Sequence, residues 1–122
     1  MPTTYTHYAY GQDVFNKLPE QIQKSIEPYM DYYNIGVHGP DILFYYHSYH
    51  KNNVNQYGIK VHHEPAREFF KRAFKVFQVQ KNKRAACAYL AGFMTHFILD
   101  STCHPYVRKR IKETGISHTE IE

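Results

Sequence analysis

The sequence predicts an all-α fold, a compact multi-helix domain, and three observations carry that prediction. Apolar residues recur at helical spacing through the second half of the chain. Prolines stand where first helical turns accept them. No stretch alternates apolar and polar residues or carries a hairpin turn signal. With 43% hydrophobic and 16% aromatic residues, the chain is too apolar for disorder and can bury a modest core. A length of 122 residues then gives one domain over residues 1–122.

The elements follow in order. Residues 1–10 read as an extended, Tyr-rich lead-in. "GQDVFNKLPEQIQKSIEPYMDYYNIG" reads as short helices broken at Pro19 and Pro28. "HGPD", residues 38–41, is a turn punctuated by Gly39 and Pro40, and "DILFYYHSYH" is a short aromatic helix. The polar, Asn-rich residues 51–60 read as a loop. "EPAREFFKRAFKVFQVQ" is a helix from Pro65 onward that stripes Phe69, Phe70, Ala73, Phe74 and Phe77 along one face, taken as core. "NKRAACAYLAGFMTHFILD" is apolar almost all round and is expected to be the central helix. Pro105 bends or restarts the chain, which runs on to Gly115, and "SHTEIE" opens a further helix with Ser117 and Thr119 as caps.

Several function classes are disfavoured. No window is long enough to span a membrane, and the N-terminus shows no secretory signal, so a cytoplasmic location is expected. Cys87 and Cys103 lie in apolar helical sequence and read as buried thiols rather than a disulfide. The net charge of +4 comes with Lys and Arg clustered at 71–84 and 108–112, which read as solvated helix faces more readily than as a nucleic-acid groove.

The nine histidines carry the chemistry. In "HFILDSTCHPYV", His96, Asp100 and His104 are spaced by four, which stacks them on one face of an otherwise apolar helix. His118 and Glu122 repeat the gap of four. Imidazole with carboxylate is a ligand mix that zinc accepts. Upstream, His7, Asp41, His62 and His63 are further candidates, and a bridging carboxylate such as Asp100 could hold two metals at the separation used in phosphoester hydrolysis. For His96 and Asp100 alone, a structural ion pair is an equally good account. For the whole pattern from His96 to Glu122, one metal cluster satisfies five polar groups that would otherwise each need a separate partner. His38, His47 and His50 read as solvent or aromatic-cluster histidines.

The order His7, "GPD" with Asp41, "VHHE" with His62 and His63, "HFILD", "CH" and "HTEIE" resembles the bacterial zinc-dependent phospholipase C family, related in fold to zinc-dependent single-strand nucleases. The resemblance implies an all-α domain of the zinc phospholipase C and zinc nuclease type, lacking its C-terminal helices because family members continue past the last ligand pair. It implies a first zinc held by Asp41, His62, His96 and Asp100, a second by His104, His118 and Glu122, and a third by His7 with Asp100 as bridge. Asp41 is also the implied general base, and His63 is the alternative to His62. Because secreted members complete the third site with an N-terminal Trp and this sequence has none, two or three zinc ions are implied. The implied activity is phosphodiester hydrolysis of a phospholipid to diacylglycerol and a phosphorylated head group, with transient contact at a membrane surface. The alternatives are a nuclease or phosphatase on the same cluster, with nucleic acid only as the alternative substrate, and a metal-binding module without turnover. Tyr5, Tyr8, Tyr45 and Tyr46 are candidates for an aromatic wall facing a choline-like cation or a base, or equally for plain filler with exposed hydroxyls.

Overall fold

The computed structural model describes residues 2–115, and among these every regular element is helical. Six α-helices follow in order: α1 (Thr4–Lys17), α2 (Glu20–Ile26), α3 (Met30–His38), α4 (Asn53–His63), α5 (Ala66–Val79) and α6 (Lys83–Thr114). Two 3₁₀ helices, Glu27–Tyr29 and Gly39–Tyr45, bracket α3. No helix among the described residues is long and apolar enough to cross a membrane.

The prolines punctuate as expected. Leu18, held extended by the proline that follows it, ends α1, and Pro28 sits in the first turn of its 3₁₀ helix. The 32-residue α6 is the central element predicted from its all-round apolarity; it packs against α1, α2 and α3 and supplies Ala88 to the core. That core joins Ile26, Tyr33, Val37 and Ala88, flanked by Phe15, Leu18, Tyr29 and Met30. Tyr33 is fully buried, and its hydroxyl donates to the Gly11 carbonyl at 2.7 Å, which ties α3 to α1.

The crossing of α3 and α6 is closer than side chains permit. A Cβ built on Gly36 would lie 2.1 Å from the Tyr89 carbonyl oxygen, and one on Gly92 would lie 2.1 Å from the Tyr33 carbonyl oxygen. Glycines on both helices therefore let the two backbones touch. Just beyond, Gly39 ends α3 with a positive φ of 52°, and a Cβ there would meet the His96 ring at 2.5 Å.

Several expectations are corrected. Residues 1–10 are not an extended lead-in: α1 begins at Thr4, with the Thr3 hydroxyl accepting from the Thr6 amide at 3.2 Å. Residues 51–60 are not a loop but most of α4. The polarity that suggested a loop is capping chemistry: Asn52 accepts from the Asn55 amide at 2.9 Å and donates to the Tyr46 and His50 carbonyls, both at 3.0 Å. The short aromatic helix expected at 41–50 is a 3₁₀ helix that ends at Tyr45. Pro105 does not restart the chain; α6 continues through it to Thr114 and is closed by Gly115 in the left-handed region, whose amide donates to Ile111. The Phe69–Phe77 stripe is not buried core, since no residue of α5 is fully buried and Phe74 is 59% exposed. Cys87 is exposed, on the outer face of α6, and Cys103 is half-buried. The helix expected from Ser117 lies outside the described residues.

Gly92→Ala forces a methyl group into a backbone contact that cannot relax around one side chain. Its expected effect is a loss of about 3 kcal/mol in unfolding free energy, at the upper end of ordinary overpacking, measured by urea denaturation.

Candidate metal centre

Four separate elements deliver side chains to one buried point. α6 presents His96 and Asp100 one turn apart, α1 presents His7, the 3₁₀ helix after Gly39 presents Asp41, and the end of α4 presents His62. His7, Asp41, His96 and Asp100 are all buried, and His62 is nearly so.

The contacts are short and mutual. His62 Nε2 lies 2.7 Å from Asp41 Oδ1. Asp100 Oδ1 is 3.2 Å from His7 Nε2, and Asp100 Oδ2 is 3.3 Å from His96 Nε2 and 3.8 Å from His62 Nε2. Asp41 lies 3.8 Å from His7 Nε2 and 3.9 Å from His96 Nε2. The His7 and His96 rings stack, with centroids 4.0 Å apart and planes within 14°.

Backbone carbonyls fix two of the rings. His96 Nδ1 donates to the Val37 carbonyl at 3.0 Å, and His62 Nδ1 donates to the Gly58 carbonyl at 2.7 Å. A carbonyl only accepts, so in each ring Nδ1 carries a proton and, when the ring is neutral, Nε2 turns a lone pair toward the centre. Phe44 stacks on His62 with centroids 5.3 Å apart and holds its plane.

With Nδ1 of His96 committed to a carbonyl, its neutral ring turns an acceptor toward the Asp100 carboxylate. His7 Nδ1 and Nε2, His96 Nε2 and Asp100 Oδ1 are buried without a hydrogen-bond partner. Two carboxylates and three imidazoles crowd together, and a divalent cation both balances the two negative charges and satisfies the lone pairs. Two overlapping donor sets have all their ligand atoms within 4.8 Å of one another: His7, Asp41 and His96, and His62, His96 and Asp100. Two arms of about 2.0–2.2 Å to nitrogen and carboxylate oxygen, the zinc values, reach across the 3.2–3.9 Å that separates the Asp100 oxygens from His7, His62 and His96 and Asp41 from His7 and His96. The donor set fits zinc.

Without a cation, protons do part of that work. Burial alone disfavours charge on His62, but the hydrogen bonds to Asp41 and to the Gly58 carbonyl outweigh it and raise its pKa. Burial alone would raise the Asp100 carboxyl, yet its contacts with His7 and His96 hold it well below the usual carboxylate range.

A cavity of about 150 Å³ opens beside the cluster, reaching His62, His96, Asp100 and His104 and walled by Phe69, Phe70, Phe93 and Phe97. His104 stands at its rim, 31% exposed, with Nε2 4.0 Å from Asp100. His63 turns away: its ring bonds the Ile59 carbonyl on the exposed face of α4, so the geometry favours His62. His118 and Glu122 lie outside the described residues. The tyrosine wall is corrected: Tyr5, Tyr8, Tyr45 and Tyr46 are 43–77% exposed and none lines this cavity, whose aromatic wall is phenylalanine.

Two groups escaped the sequence reading. Glu64 lines the cavity and pairs with Arg72 at 2.5 Å; its place beside His62 and His63 in "VHHE" was the available signal. His38, at the end of α3, is half-buried within electrostatic reach of His7, Asp41 and His96, and burial followed by the His7 charge lowers its pKa. Its signal was its position three residues before Asp41.

Fold and site together define an all-helical protein built around a buried histidine and aspartate donor cluster. A family model described as zinc dependent phospholipase C matches residues 6–122, and the chain belongs to that family. Comparison with curated proteins and with solved structures gives no match.

The shifts set a pH window for the chelator-treated protein. His62, raised on folding, adds stability that is full below its unfolded value of about 6.5 and is lost as pH rises through the folded value. Asp100, lowered on folding, adds stability above about pH 4 that is lost as pH falls. The urea midpoint of the metal-free protein should therefore fall between pH 6 and pH 9, and His62→Gln should flatten that fall.

Proposed function

We propose that the chain is a zinc-dependent phosphodiesterase of the phospholipase C type. Its substrate is a phospholipid, cleaved to diacylglycerol and a phosphorylated head group. The observation that carries this reading is the convergence of His7, Asp41, His62, His96 and Asp100, with buried polar atoms of His7, His96 and Asp100 left without hydrogen-bond partners, in a chain of this family.

His7, Asp41, His62, His96 and Asp100 would hold zinc, with Asp100 shared between sites. His104, with His118 and Glu122 beyond the described residues, would complete a further site, giving two or three ions. Zinc in such a donor set supplies Lewis-acid stabilisation of phosphoryl charge and acidifies water toward neutrality.

The chain's own residues do the rest. Asp41 accepts the proton of the attacking water at a carboxylate oxygen. The carbonyls of Val37 and Gly58 keep His96 and His62 from rotating. Water attacks phosphorus in line with the glyceryl oxygen, the bond from phosphorus to that oxygen breaks, the departing oxygen takes a proton from solvent water to become the hydroxyl of diacylglycerol, and Asp41 returns its proton to solvent. The phenylalanine wall gives the charges on that side of the cavity an apolar neighbour in place of water, which strengthens their interactions.

The test sets the zinc-loaded chain against monomeric phosphatidylcholine and against single-stranded DNA. Release of phosphocholine supports the reading, whereas cleavage of DNA alone replaces it with a nuclease. Asp41→Asn should lower kcat on the order of 10²–10⁴-fold, the range for loss of a general base.

Zinc at about a thousandfold excess over its Kd should raise unfolding free energy by about 4 kcal/mol. His96→Ala should remove most of that increment, and zinc analysis of the purified chain gives the number of ions per molecule.

A further inference from the structure

The strongly amphipathic α5 buries none of its residues completely. It is docked on α6 near its start, where Phe69 stacks on Phe93 with centroids 4.0 Å apart and planes within 7°. Beyond the helix end, Lys83 donates to the Gln78 carbonyl at 2.9 Å. Between those attachments the helices part, leaving a groove of about 530 Å³ lined chiefly by apolar and aromatic groups, among them Tyr32, Tyr57, Phe77, Ala86, Tyr89 and Leu90. Size and lining are those of a small-molecule site.

The groove adjoins the metal cavity, with the Phe69 ring as part of the wall between them. Phe69 lines both. Glu64 belongs to the wall of the metal cavity and Arg72 to the wall of the groove, and the two are joined by their ion pair at 2.5 Å. A molecule with its phosphate at the cluster would therefore meet a second, apolar compartment across one shared ring.

We propose that the groove between α5 and α6 takes an acyl chain of the lipid whose phosphate lies at the metal centre. This rests on the phospholipase reading and assigns the chain selectivity of that reaction to a definite surface. The apolar lining suits a hydrocarbon, and the shared wall places it next to the cavity that would hold the reacting phosphate. Arg72 is already engaged by Glu64, so the groove offers little to an anionic ligand.

The experiment separates this inference from the reading beneath it. Zinc-loaded protein is given a chainless choline phosphodiester, p-nitrophenylphosphorylcholine, and then dibutyryl- and diheptanoyl-phosphatidylcholine, both below micelle formation. In the native protein kcat/KM should rise with chain length, by up to about fourfold per methylene buried. Ala86→Trp fills the groove, and Val76→Asp places a charge at its exposed edge, where the fold tolerates it. Both should flatten the chain-length dependence while leaving the chainless rate within about twofold. A dependence that survives both variants, or its absence in the native protein, overturns the proposal while hydrolysis of the chainless diester still upholds the phospholipase reading. If no diester is hydrolysed, that reading fails, and 1-decanol tests the groove directly through the resonances of Tyr32, Tyr57 and Tyr89. Shifts that vanish in Ala86→Trp uphold an apolar chain site; no shift, or a groove closed by a second copy in solution, sinks it.

Discussion

The structure depends on two buried carboxylates turned toward three imidazoles. Asp41 and Asp100 lie within 4 Å of nitrogens of His7, His62 and His96, in a setting where charge is poorly solvated. An unpaired ion in such a place costs several kcal/mol, and hydrogen bonds cannot repair it because most of the facing atoms are acceptors. Protons offer a partial answer, visible in the raised His62 and depressed Asp100. A divalent cation answers it fully, since one ion balances two carboxylates and accepts several lone pairs at once. On the proposed reading, the site is a local instability of the metal-free fold that becomes a binding energy for metal, so that stability and function would be coupled through the same atoms.

That coupling extends into the helix packing. His96 can present Nε2 inward only because its Nδ1 reaches the Val37 carbonyl, across the interface between α6 and α3. The reach is short because Gly36 and Gly92 let the two backbones touch, and because Gly39 leaves room for the ring. Removing side chains at three positions thus sets the position of a fourth residue, a member of the donor cluster. The Tyr33 to Gly11 hydrogen bond carries the constraint on to α1, which bears His7. Core and site are consecutive stretches of the same crossing, with apolar contacts at one end and donors at the other.

How much of this the sequence discloses varies with the range of the interaction. His96 and Asp100 were legible because a helix brings positions four apart together, whatever the rest of the fold does. The grouping of His7, Asp41 and His62 with them was not available from spacing; it came through family resemblance, since the contacts span up to 93 residues between His7 and Asp100. The choice between His62 and His63 required α4 as a three-dimensional object, because adjacent helical residues point about 100° apart. α4 itself was missed because an asparagine that caps a helix and one that makes a loop look alike until its partners are known. The phenylalanine stripe of α5 misled in the opposite way: periodicity reports which face is apolar, not whether anything covers it.

The placement of those phenylalanines completes the physical picture. Phe69, Phe70, Phe93 and Phe97 line a cavity whose other lining includes His62, His96, Asp100 and His104. Water held away from the cluster cannot screen its charges, so the attraction for a cation and the stabilisation of a phosphoryl group both grow as the wall closes. The same rings must remain reachable from outside, or no substrate could approach the donors. A half-buried aromatic stripe meets both demands where a fully buried one could not. The incomplete burial of α5, a defect if judged as core packing, is what the proposed phospholipid site would need, because one end of that substrate is charged and the other is hydrocarbon.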